Sequence, residues 1–280
     1  MSADPLVPDE GPWPQKSYKN LRFLNSAAAR EIRVLCEFVE PAERFRHHGV
    51  RDTIVFFGST RCVSGQEADA QLVEAEQRGD EGEEARRRLA EARRAVDMSR
   101  YYEDARALAH RITHWARSLP SGSNRFAVCS GGGPGIMEAA NRGAQEAGGP
   151  SIGLNISLPL EQEANAFQTP ELSFEFHYFF MRKFWFVYLA RALVAFPGGF
   201  GTLDELFEVL TLAQTGKKSP DMPVIVYGAD YWRRVVNFDA LVEHGTIAPE
   251  DLKLFRICDD VDTAFTFLRD ELTRHYVNQP

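Results

Sequence analysis

Apolar residues in this chain fall into two alternating patterns. Short runs at residues 53–57, 126–129, 151–156, 172–177, 191–195, 223–227 and 254–258 read as strands. Between them, apolar positions recur three and four apart, the spacing of one helix face. Such stretches lie at residues 101–119, 136–141, 179–189, 231–243 and 261–275. Another carries Leu203, Leu206, Phe207, Leu210 and Ala213. A helix at residues 20–38 precedes the first strand, with Leu21, Leu24, Ala28, Ile32 and Leu35 as its apolar stripe. Strands that alternate with helices imply parallel βαβ units, hence an α/β fold with a doubly wound parallel sheet and an N-terminal helical extension. No internal repeat is visible.

Two segments break the pattern. Residues 66–96 are rich in Glu, Arg and Ala with little apolar surface, which predicts a solvated helical hairpin broken at Gly79 or Gly82. It is assigned as a charged insertion over residues 64–98. Residues 1–14 are acidic and proline-rich, without the apolar core of a signal peptide, and read as a disordered tail. The expected division is a tail and helix over residues 1–50, then one nucleotide-binding domain over residues 51–280.

Composition narrows the function classes. The chain has 280 residues, 44% of them hydrophobic, as in an ordinary globular protein. No apolar run reaches bilayer-spanning length, so no membrane partner is expected. A net charge of −8 disfavours nucleic acid as a partner. Cys36, Cys62, Cys129 and Cys258 form no C-x-x-C pair. Three of them sit in apolar segments, which predicts buried reduced thiols and a cytoplasmic protein.

The chemistry concentrates in two glycine loops at strand ends. One runs Phe196-Pro197-Gly198-Gly199-Phe200-Gly201-Thr202. Its glycines permit a tight turn, and the free N–H groups and positive dipole of the helix that follows make an anion site. Thr202 adds a hydroxyl, and Glu205 sits one turn in. The other is Ser130-Gly131-Gly132-Gly133-Pro134-Gly135, with Pro134 expected in the first helical turn. Neither has the G-x-G-x-x-G spacing, and the strand at residues 151–156 lacks the terminal acid that holds a ribose diol. Thr215-Gly216-Lys217-Lys218-Ser219 is not a phosphate loop, because Lys218 interrupts the motif and the segment ends a helix. A mononucleotide or sugar phosphate fits better than NAD or ATP. His110 and His114 are four apart, but Arg111 stands where the zinc signature needs Glu, so no metal is expected.

Together the loops resemble the LOG ("Lonely Guy") family, also labelled lysine decarboxylase-like. The resemblance rests on Gly131-Gly132-Gly133, on Arg182-Lys183 and on the complete P-G-G-x-G-T-x-x-E from Pro197 to Glu205, with Gly58-Ser59 similar to the family's opening loop. It covers roughly residues 53–275 and looks closest to the longer bacterial group. It implies a Rossmann-like fold and hydrolysis of the N-glycosidic bond of a nucleoside 5′-monophosphate, giving free base and ribose 5-phosphate. It also implies no cofactor and a homo-oligomer, a dimer or larger. The residues before Arg182 are Phe179-Phe180-Met181, unlike plant-type members, and the base stays open between adenine, a cytokinin and another purine or pyrimidine.

On this reading Glu205 and Arg182 are the catalytic pair. Substrate binding falls to Gly58, Ser59, Gly131, Gly132, Gly133, Lys183, Pro197, Gly198, Gly199, Gly201 and Thr202. Glu205 has a competing role, because Thr202-Leu203-Asp204-Glu205 has the form of a capping box. The helix end is expected to keep it ionised. For Arg182 the competing role is an ion pair with Glu175, Asp204 or Glu208. Lys183 is the weaker half of its pair, Glu208 shares the face of Glu205, and His177 is expected to be structural. The phenylalanine-rich run at residues 174–180 reads as core or dimer contact. A pyridoxal decarboxylase is disfavoured, because nothing beyond Lys183 suggests that cofactor's binding set. Two classes remain: a phosphoribohydrolase, favoured by the Arg182–Glu205 pair, and a nucleotide-binding sensor without turnover.

Overall fold

The computed structural model describes residues 15–78, 82–120, 124–158, 164–219 and 221–278. The expected tail at residues 1–14 lies outside them. The strands are β1 (Thr53–Phe57), β2 (Ala127–Ser130), β3 (Ser151–Ile156), β4 (Ser173–Phe176), β5 (Ala190–Ala195), β6 (Val224–Tyr227) and β7 (Arg256–Cys258). They form one seven-stranded sheet in the order β4-β3-β2-β1-β5-β6-β7. Every pairing is parallel. This is the doubly wound, Rossmann-like α/β fold the alternation implies.

The central strands are mostly apolar and buried because both faces are covered. Ile54 and Phe56 of β1 point into a core shared with Leu108, Ile112, Ile136 and Leu268. Val55 and Phe57 point the other way, onto Phe45, Trp185, Phe186 and Leu206. The period-two alternation of side chains thus feeds two cores instead of one core and solvent. Chain order reverses between β1 and β5, the switch point at which such sheets bind ligands at the carboxyl ends of their strands.

Four helical expectations need correction. The stretch at residues 20–38 is not one helix but a short α1 (Leu21–Leu24), a 3-10 turn and α2 (Arg30–His47), which passes through Pro41. Its expected stripe faces outward: Leu21, Ala28, Ile32 and Leu35 are exposed, whereas Ala29, Pro41 and Phe45 are buried. The charged insertion does pair two helices, but its second arm is not separate from the helix expected at residues 101–119. After α3 (Gly65–Gln77), a single α4 (Glu83–Arg117) of 35 residues carries the charged half and the core half in one rod. Gly79 lies outside the described residues; Gly82 is the residue before α4. The stretch at residues 231–243 divides into α8 (Ala229–Val235) and α9 (Phe238–Glu243), the latter capped by the Asn237 side chain. Last, α5 (Ile136–Glu146) begins after Gly135, so Pro134 precedes the helix instead of opening it.

Candidate functional site

The loops after β1, β2 and β5 meet over the switch point. The Ser59 N–H donates to the Pro197 carbonyl at 2.9 Å and the Ile136 N–H donates to the Ser59 carbonyl at 3.0 Å, which ties all three loops together. Between them opens a cleft of about 670 Å³. Of the residues chosen from sequence, Gly58, Ser59, Gly131, Gly133, Arg182, Gly198, Gly199, Gly201, Thr202 and Glu205 line it. Gly132, Lys183 and Pro197 do not.

Gly131 and Gly132 show why the second loop has its composition. A Cβ on Gly131 would overlap the Arg182 guanidinium, so the glycine lets that side chain lie along the loop. Gly132 has φ +74°, and a Cβ there would overlap the Asn155 amide. The Gly132 carbonyl accepts from Gln168 Nε2 at 2.8 Å and Asn165 Nδ2 at 2.9 Å. The loop is therefore held from behind by a buried amide, Gln168, and a half-buried one, Asn165.

Arg182 and Lys183 stand on α6 (Phe179–Tyr188). Arg182 makes none of the ion pairs considered for it. Its Nε donates to the Leu154 carbonyl at 2.7 Å, Nη2 reaches the Gly131 carbonyl at 3.4 Å, and the guanidinium lies 5.0 Å from the centre of the Phe186 ring. Burial pulls its pKa down, and Glu205 opposes that shift. Lys183 sits behind the wall as an ion-pair hub. Its Nζ is 2.7 Å from Glu208, 2.8 Å from Asp204 and 3.9 Å from Glu205. Glu208 is thus tied to Lys183 and is not among the residues lining the cleft.

Glu205 lies on α7 (Phe200–Gln214). The capping box does not form: the residue before the helix is Gly199, no side chain caps it, and Thr202 is already inside the first turn. The expectation that the helix end keeps Glu205 ionised also needs correction. Burial pushes its carboxyl up to about 7, against the pull of Lys183 and Arg182. Desolvation of a side chain only 9% exposed outweighs two nearby cations. The carboxyl consequently titrates near neutrality, the range suited to proton transfer.

Several lining residues escaped sequence reasoning. Asn155 is the penultimate residue of β3, where a polar residue inside an apolar run was the available signal. Tyr231, from α8, donates its hydroxyl to the Gly198 carbonyl at 2.5 Å and steadies the glycine turn before α7. Phe179 and Phe200 are exposed at the rim, Phe200 to 92%. Arg61 and Met98 enter from the side of α3 and α4, and no motif announced either. His110 and His114 lie on α4, away from the residues of the cleft, and among the described residues no cluster of metal-ligand side chains forms.

At the switch point of an open parallel sheet, glycine turns thus meet a half-buried arginine and a carboxyl raised toward neutrality. Residues 137–268 match the family model described as "Possible lysine decarboxylase". A cytokinin riboside 5′-monophosphate phosphoribohydrolase of Arabidopsis thaliana is 32% identical over 126 residues, 44% of this chain and 56% of that protein. One from Rhodococcoides fascians is 29% identical over 147 residues, 51% of this chain and 72% of that protein. The expected kinship with the LOG family is borne out over this stretch, and these relatives are phosphoribohydrolases. The chain spans about half the length of the Arabidopsis relative. A solved molybdenum cofactor binding protein from Rippkaea orientalis overlaps 80% of this chain and 99% of its own, at TM-score 0.47 and 16% identity.

Proposed function

We propose that the protein hydrolyses the N-glycosidic bond of a nucleoside 5′-monophosphate, releasing free base and ribose 5-phosphate. The observation that carries this reading is Glu205, a buried carboxyl titrating near neutrality in a cleft that also holds an anion turn. The 5′-phosphate rests on the turn at residues 198–202, bound by backbone N–H groups at the start of α7. That places the ribose beside Glu205, one turn further along. Arg182 orients the nucleotide from the opposite wall. As the glycosidic bond breaks, positive charge develops on the ribose ring, and ionised Glu205 stabilises it or takes a proton from the attacking water. Gly132, Pro197 and Lys183 support the site without lining it: Lys183 holds Asp204 and Glu208 in place beside Glu205.

Incubation with AMP, GMP, CMP and UMP, followed by chromatography for free base, tests the reading. Nucleotide binding without base release would favour the sensor instead.

The reading includes a homo-oligomer in a reducing cytoplasm. All four cysteines are free, and among the described residues no helix is long and apolar enough to cross a membrane. Ile32, Leu35, Phe38 and Val39 of α2 lie exposed, and Phe38 packs on Phe184 of α6, whose Phe180 and Tyr188 are exposed too. An apolar face of this kind marks an association surface. Light scattering at a single-chain mass would refute it.

A further inference from the structure

A second chamber borders the cleft. This chamber, of about 660 Å³, lies between α3 and α4 and shares Ser59, Arg61 and Met98 with the cleft. The cleft alone already has the volume of an ordinary small-ligand pocket. The chamber's walls carry Arg61, Arg78, Arg88 and Arg94 against two acids, Glu74 and Glu91.

Most of that charge belongs to helix-surface pairs. Arg78 lies 3.3 Å from Glu74, Arg88 lies 3.5 Å from Glu84, and Glu91 is bound by Arg87 at 2.9 Å. Arg61 is different. It comes from the loop after β1, it lines both chambers, and its guanidinium has no ion pair or hydrogen bond among the described residues. The same loop is bonded to the anion turn through Ser59 and Pro197. An anionic chain leaving that turn past Ser59 meets Arg61 first and the arginines of α3 and α4 next.

We propose that the α3–α4 chamber is a second anion subsite, which receives further phosphates extending from the 5′-phosphate of a bound nucleotide. This rests on the reading of the cleft as a nucleotide site. It makes Arg61 the residue shared by both subsites. It also makes the charged insertion a determinant of ligand length, so that nucleoside di- and triphosphates bind more tightly than the monophosphate.

Titration calorimetry with AMP, ADP, ATP and inorganic tripolyphosphate, in chelator at moderate salt, tests it. The parent should gain about tenfold in affinity from AMP to ATP, the weight of one charge-assisted hydrogen bond. The double variant Arg78→Ala/Arg94→Ala should lose that gain and bind AMP as the parent does. Both side chains are exposed, and an unchanged urea midpoint verifies the fold. Should the midpoint fall, Arg94→Gln alone carries the same comparison. Equal affinity for AMP and ATP, a gain that survives the substitutions, or failure to bind tripolyphosphate would overturn the proposal. Arginine-dependent tripolyphosphate binding without AMP binding would uphold the chamber and refute the nucleotide reading of the cleft.

Discussion

Replacing Glu205 with Gln should separate chemistry from stability. The folded protein holds this carboxyl up to about 7 by burial, against an ordinary value of 4.5. At about 1.4 kcal/mol per pH unit, keeping it ionised in the fold costs about 3 kcal/mol. Because the pKa is raised, the native state binds the extra proton. Stability is therefore undiminished below 4.5, falls as pH rises toward 7, and stays lowered above it. Gln is isosteric with the protonated acid, so the attraction of Lys183 and Arg182 is already contained in that figure. The variant should match the parent near pH 4.5 and exceed it by about 3 kcal/mol at pH 8, roughly 6–12 °C in Tm for a chain of this size. Its base release should fall at least about a hundredfold while nucleotide still binds. Parent turnover should decline as pH falls through 7, when the carboxylate is lost. Urea or thermal melts of both proteins from pH 5 to 8, paired with base-release rates, measure all of this. A stability gap that stays flat across that range would show an ordinary carboxyl. Parental turnover in the variant would remove Glu205 from the mechanism.

Three further outcomes follow from the same geometry. Ribose 5-phosphate and inorganic phosphate should compete with nucleotide by binding at residues 199–202; phosphate seated only elsewhere in a soaked crystal would refute the anion turn. Gly132→Ala should destabilise the fold by about 1–3 kcal/mol, because it strains a left-handed backbone and crowds Asn155; a melt at the parental temperature would show that the loop can shift at no cost. Lysine and pyridoxal phosphate should yield neither cadaverine nor an internal aldimine absorbance, since Asp204 and Glu208 hold Lys183 protonated and its pKa is raised; both signals, lost in Lys183→Ala, would reverse the assignment.

The parallel sheet was legible because its strands are short, mostly apolar runs between helical stretches, and that pattern survives any arrangement of neighbours. The two glycine turns were legible for a related reason: Gly131 and Gly198 sit where no side chain fits, a constraint written locally. Helix ends were less readable. Thr202 has the sequence of a cap, yet the backbone enters α7 three residues earlier at Gly199. The stripe of α2 was visible as a period, but periodicity does not say which way a helix faces, and Leu35 turns outward. The helix dipole does not set the titration of Glu205; burial does. Its burial comes from residues distant in sequence, and no local pattern reports desolvation. Arg61 and Asn155 reach the cleft only through the sheet order, which brings β1, β2 and β3 side by side.

The continuity of α4 bears on how this protein can be resized. Its charged half is no bead on a string: it extends a helix whose other half is anchored in the core by Leu108 and Ile112. No hinge separates the halves, so the wall of the second chamber moves with the domain. Its height is set by residue number, at about 1.5 Å per residue. Matched deletion of about seven residues from α3 and α4 removes two turns and returns the same faces to register. A deletion of about five residues rotates every remaining side chain by more than a quarter-turn. The helix thus acts as a ruler, on which chamber depth can be shortened in whole-turn steps while the catalytic end stays in place.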